Sequence, residues 1–203
     1  MKKLLLTSAG LANSKITEAF LKLVDKPASE IKIVFVPTAS RTEEELHYVE
    51  ESKKELIGLG IKRENIKTLN LDRKISYGDV TDFDMIYVCG GNTFYLLKKV
   101  RESGFDGIIK KFVENGGIYF GVSAGSNLAG PNIEIASLGD ENDVELKDFT
   151  GLNLIDAAIC PHSDKKDNEK IDAFKKRAKY KIIPLTDSQA LLVLNNVVKI
   201  IGD

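Results

Sequence analysis

Apolar runs and stripes of helical period alternate along this chain. Residues 3–6 predict a short first strand. Asn13 is placed to cap a helix through Val24, whose Ile16, Phe20, Leu23 and Val24 fall on one face. Residues 31–36 are continuously apolar and stop at Pro37, the pattern of a strand buried on both sides. Residues 42–59 predict a helix with glutamates in its first turn, where the helix dipole favours them, and with Gly58 and Gly60 at its end. A weaker strand at 66–69 and a strong one at 85–89 follow, the latter running into Gly90-Gly91. Two helical stretches, 93–101 and Phe105–Glu114, are split by Gly104, and the strand Ile118–Val122 stops at Ser123. Ala124–Leu128 reads as the first turns of a helix, whereas 130–153 shows no clear period. The chain closes with a short strand Ala157–Cys160, a basic helix over 168–179, and strands at 182–183, 191–194 and 197–201, the last two forming a hairpin around Asn195-Asn196. Strands alternating with helices predict an α/β fold, a mostly parallel sheet sandwiched by helices.

Composition narrows this picture. At 203 residues the chain is expected to be one domain spanning 1–203, with a core that needs no covalent staples. Its 29 basic and 30 acidic residues leave a net charge of −1, which argues against an electrostatic nucleic-acid binder. The two cysteines exclude a disulfide scaffold and fit a reducing compartment. The leucines after Met1 imitate a signal peptide but break at Thr7, and no apolar run reaches the roughly 18 residues of a membrane span. A soluble, cytoplasmic protein without membrane partners is the expectation.

Three predicted strand ends carry unusual residues, and open parallel sheets place their sites at the carboxyl ends of strands. Gly121-Val122-Ser123-Ala124-Gly125 fits G-x-S-x-G between a strand and a helix, the context in which a sharp turn presents a nucleophilic serine. The bland alternative is a glycine-rich turn that packs a helix on a strand. Cys89-Gly90-Gly91-Asn92-Thr93 exposes backbone N–H groups suited to an anion or a developing oxyanion, although Asn92 or Thr93 can equally cap the next helix. Cys160-Pro161-His162 places a histidine after a short strand. A hydrolytic serine needs a base, and the chain has two histidines. His47 sits within a charged helix, so His162 is the candidate. For the acid that orients the imidazole, Asp187 follows a predicted strand, while Asp140, Asp143, Asp148 and Asp156 lie between Ser123 and His162. That interval is short for the Ser, Asp, His order of α/β-hydrolases, which favours a Ser123, His162, Asp187 order. Cys89 and Cys160 read as core residues. No histidine cluster suggests a metal, and no cofactor is expected.

These segments together resemble the peptidase E (aspartyl dipeptidase) family, whose wider relatives include cyanophycinase. The carrying stretches are Val88-Cys89-Gly90-Gly91-Asn92-Thr93-Phe94, Gly121-Val122-Ser123-Ala124-Gly125-Ser126-Asn127, Pro161-His162 and Leu185-Thr186-Asp187. The resemblance implies a flavodoxin-like fold similar to class I glutamine amidotransferases. It implies a serine peptidase cutting dipeptides or short peptides, with Ser123 as nucleophile, His162 as base, the N–H groups of Gly91 and Ala124 as oxyanion hole, and Asn92 at the substrate. The family commonly has Glu where Asp187 stands. Members that prefer N-terminal aspartate carry an arginine after the histidine, and residues 164–171 have none. Lysine lacks the bidentate fork of arginine, so strict aspartyl-Xaa specificity is not expected. An esterase or amidase using the same machinery, or a non-catalytic binding relative, are the rival readings. A monomer or homodimer is expected.

Overall fold

Strand burial and strand pairing explain how the predicted elements assemble. A computed structural model describes residues 1–195 and 197–203. The main sheet has seven strands: β1 (Lys3–Thr7), β2 (Ile33–Val36), β3 (Ile66–Thr68), β4 (Met85–Val88), β5 (Ile118–Val122), β8 (Gln189–Leu194) and β9 (Val197–Gly202). Their order is β3-β2-β4-β5-β1-β8-β9. The first five are parallel, and the register sets Thr7 beside Val122 and Val88 beside Gly121. β8 runs antiparallel to β1, and β9 antiparallel to β8. Asn195 thus turns the expected hairpin, while Asn196 lies outside the described residues.

Side chains alternate across each strand, so the sheet has two apolar faces. Leu5, Ile33, Phe35, Tyr87 and Phe120 face α1 (Ser14–Val24) and α2 (Glu43–Gly58). Leu4, Leu6, Val34, Ile86 and Val88 face α3 (Thr93–Ser103), α4 (Phe105–Glu114) and α5 (Ala124–Leu128). The helix starts follow the capping signals. The Asn13 side chain accepts from the Ile16 N–H, and Thr42 and Glu45 form a reciprocal capping box. Gly104, at φ +74°, ends α3 and admits the turn into α4.

One expectation is corrected. β6 (Ala157–Cys160) and β7 (Lys181–Pro184) do not join the main sheet but pair parallel with each other as a separate two-stranded sheet. The free edge of β1 is already taken by β8, so the two strands satisfy their backbone groups mutually. One side of this small sheet, with Ile159 and Ile183, packs on the main core. The other side, with Ala158, Cys160 and Ile182, packs under Ile171 and Phe174 of α6 (Asn168–Arg177). The aperiodic stretch 130–153 contains a 3₁₀ helix at Glu134–Leu138 and otherwise lies as loop across α3, tied down where Arg101 donates to the Asp148 and Thr150 carbonyls.

Candidate active site

The turn from β5 into α5 holds Ser123 at φ +48° and ψ −106°. A non-glycine residue pays roughly 1–3 kcal/mol to sit there, which persists only where the surroundings enforce it. They do so by close packing. A Cβ on Gly125 would come 2.4 Å from the Val88 carbonyl oxygen, so only glycine lets α5 approach β4 this closely. The Ser123 N–H donates to the Thr7 carbonyl at 3.0 Å, and the buried Ser126 hydroxyl donates to the Thr7 and Gly121 carbonyls. The turn is thereby sewn to the end of β1.

Beside it runs the turn after β4. Gly91 has φ +126°, and a Cβ there would lie 2.2 Å from the Ala39 carbonyl oxygen. A Cβ on Gly90 would meet the Ser123 Cβ at 3.2 Å, so this glycine pair lies directly against the serine. Ala124 is the first residue of α5, and its N–H has no partner within its own helix. Asn92 caps α3. Its side-chain oxygen accepts from the Tyr95 N–H, and its amide donates to the Glu141 carbonyl at 2.8 Å. What the Asn92 side chain retains for a ligand is one amide hydrogen and one lone pair on Oδ1.

His162 follows β6 with φ +54°. Its Nε2 lies 2.9 Å from the Ser123 Oγ, and its Nδ1 lies 2.6 Å from the Asp187 Oδ1. Asp187 sits in a turn after β7 that is closed by Gln189, whose side-chain oxygen accepts from the Thr186 N–H. The structure therefore brings Ser123, His162 and Asp187 into one hydrogen-bonded chain. The other four aspartates are elsewhere. Asp140 accepts from the Thr93 N–H at the start of α3, Asp143 pairs with Arg41, Asp148 pairs with Arg101, and Asp156 precedes β6 at the end away from His162. Burial raises the Asp140 carboxyl above its ordinary pKa, and the Thr93 N–H opposes that shift in part.

His47 lies on α2, remote in sequence and stacked edge-on to Tyr48. Burial pushes the thiols of Cys89 and Cys160 up, which keeps both protonated and unreactive at neutral pH. A cleft of roughly 560 Å³ opens beside the histidine, lined by His162, Asp164, Lys165, Asn168, Thr186 and Asp187. Among the described residues no group of three or more His, Cys, Asp or Glu could hold a metal, and no helix is long and apolar enough to cross a membrane.

Reading along the sequence missed Thr7 and Ser8. They are an ordinary polar pair ending a strand, and the signal that could have marked them is their place at the carboxyl end of the strand that β5 pairs with.

Known proteins resemble this chain in sequence and fold. The profile of peptidase family S51 matches residues 4–201. An uncharacterized peptidase of Pasteurella multocida is 34% identical over 99% of this chain and 97% of its own length. Peptidase E of Shigella flexneri is 33% identical over 80% of this chain and 69% of its own. The crystal structure of a candidate peptidase E from Listeria monocytogenes superposes with a TM-score of 0.82 at 31% identity, covering 100% of this chain and 98% of that one.

Proposed function

Because the chain belongs to peptidase family S51, and is thus a serine-type peptidase, we propose that it hydrolyses dipeptides or short peptides through Ser123, His162 and Asp187. One observation carries the reading: a continuous hydrogen-bonded path from Asp187 through both imidazole nitrogens to the hydroxyl of a backbone-strained serine.

The chemistry follows from the atoms. Ser123 Oγ attacks the scissile carbonyl carbon as His162 Nε2 takes its proton. Asp187 holds the Nδ1–H, which fixes the tautomer and stabilises the imidazolium. The N–H groups of Gly91 and Ala124 donate to the oxyanion. The tetrahedral intermediate collapses, the C–N bond breaks, and the amine leaves with the proton from His162. Water then gives up a proton to His162, attacks the acyl ester, and the collapse returns that proton to Ser123 as the carboxylic acid departs. None of these steps requires a metal or cofactor.

The cleft beside His162 lies on the Asp187 side of the imidazole, within reach of part of a small peptide whose scissile bond sits at Ser123. The cation lining the cleft is Lys165, and lysine lacks the bidentate fork of arginine, which supports a preference other than N-terminal aspartate. A fluorophosphonate probe and a library of dipeptides and esters test the proposal. We expect a single adduct on Ser123, peptide hydrolysis by the wild type, and loss of both in Ser123→Ala. Labelling that persists in Ser123→Ala, or cleavage of esters alone, overturns it.

A further inference from the structure

Two consecutive residues at the end of β1 hold the two halves of the site. Thr7 accepts from the Ser123 N–H and the Ser126 hydroxyl through its carbonyl, and so clasps the serine turn. Ser8 is wholly buried. Its Oγ accepts from the His162 N–H at 2.5 Å and donates to the Leu185 carbonyl at 3.3 Å. Its own N–H points to the Gln189 carbonyl at 3.5 Å. Leu185 lies two residues before Asp187, so one hydroxyl grips both segments that carry the base and the acid.

We propose that Ser8 is a positioning residue, one that sets His162 and Asp187 against Ser123; this role rests on the reading of those three as the reacting set. The need for such a residue comes from the topology. Ser123 belongs to the seven-stranded sheet, whereas His162 follows β6 of the separate β6–β7 pair; Asp187 lies in the turn between β7 and β8, two residues before the main sheet resumes at Gln189. Among the described residues no strand pairing joins β6, and with it His162, to the main sheet, so the His162 segment needs a separate link to it. Ser8 supplies that link, one peptide unit from Thr7, at a fixed Cα spacing of about 3.8 Å. Bridging an N–H and a C=O takes a group that both donates and accepts, which a hydroxyl does and a methyl does not. The bond also restrains His162 in its left-handed conformation, from which its ring reaches both Ser123 and Asp187. A small error there is amplified, because proton transfer demands close alignment.

The test measures kcat and KM for Ser8→Ala on the best dipeptide of the wild type, corrected for the folded fraction. Ser8→Ala should lower kcat about 10- to 100-fold while KM stays within about threefold. The downfield proton resonance of the His162 Nδ1–H held by Asp187 should broaden or vanish. Because Ser8 acts through that pair, adding Ser8→Ala to Asp187→Asn should cost less than about threefold more. A purely structural role predicts a lower Tm with unchanged kcat per folded molecule. That result, an unaltered resonance, or full additivity with Asp187→Asn overturns the proposal. Should Ser8→Ala not fold, Ser8→Cys keeps nearly the same volume with a poor hydrogen-bonding group, and the same criteria apply. Failure of the underlying reading is seen separately, as activity retained in Ser123→Ala or His162→Ala.

Discussion

The serine turn and the histidine arm solve the same problem in opposite ways. Ser123 is held by a dense core, with Gly125 pressed on Val88 and Ser126 sealed beneath, and by the carbonyl of Thr7. His162 and Asp187 have side chains 51% and 67% exposed; the first is held by Ser8, 154 positions away, and the second sits in a local turn closed by Gln189. The serine therefore cannot be displaced without disturbing the core, while the exposed imidazole depends on a few hydrogen bonds, that of its backbone N–H to Ser8 among them. Exposed ion pairs add little to stability, so the histidine arm contributes geometry rather than folding energy. Damage to the turn should be read as lost stability, and damage to the arm as lost rate.

The largest contrast is expected at the base. His162→Ala should lower kcat by about 10³-fold or more, with Tm within a few degrees of the wild type, while His47→Ala stays within a few-fold. Steady-state kinetics beside thermal melts check both, and the reverse ranking of the histidines would break the comparison at once. Next in size, Asp187→Asn should lower kcat by about 10³–10⁴-fold without unfolding the protein. Asp187→Glu, which keeps the charge, should retain more activity than Asp187→Asn. Asp140→Asn should be near wild type, and a dead Asp140→Asn beside an active Asp187→Asn would move the acid to the segment before the histidine.

On the other side of the contrast, Gly125→Ala should cost roughly 3 kcal/mol or more, because its methyl would overlap the Val88 carbonyl in a core without slack. Denaturant midpoints measure this; a fully stable Gly125→Ala would show that the turn is as adjustable as the arm. The smallest effect concerns Asp140. Its buried carboxyl has a raised pKa, so the folded chain holds that proton more tightly than the unfolded chain does. Ionising it therefore costs stability above the folded-state pKa, and the cost fades as pH falls towards the unfolded value. Asp140→Asn should melt slightly higher than the wild type at pH 7, and the difference should narrow as pH is lowered towards about 4.

Local pattern accounts for most of the fold. Apolar runs and helical stripes place the six α-helices and nine strands of the described residues within one or two residues, since both depend on which faces a segment must bury. The G-x-S-x-G turn was legible because its glycines and small neighbours are demanded within a few residues of the serine itself. His162 was legible by the scarcity of histidine. Asp187 was preferred over four other aspartates by its place after a strand, and only the folded geometry put it, and none of the others, on Nδ1.

What the tertiary structure alone decided was pairing across distance. Residues 157–160 and 182–183 read as strands of a mostly parallel sheet, yet β8 occupies the edge of β1 by antiparallel pairing and leaves them to each other. Nothing within a short window records which strand will win an edge, because that depends on the whole set of competitors. Ser8 is hidden for the same reason. A serine after Leu-Leu-Leu-Thr carries no local mark of the His162 and Leu185 backbone groups that reach it from 154 and 177 positions away. The chain's own pattern determined the elements and the reactive turn, through burial and steric demands that act between neighbours. Folding decided how His162 and Asp187 meet Ser123, through hydrogen bonds between segments that are close only in space.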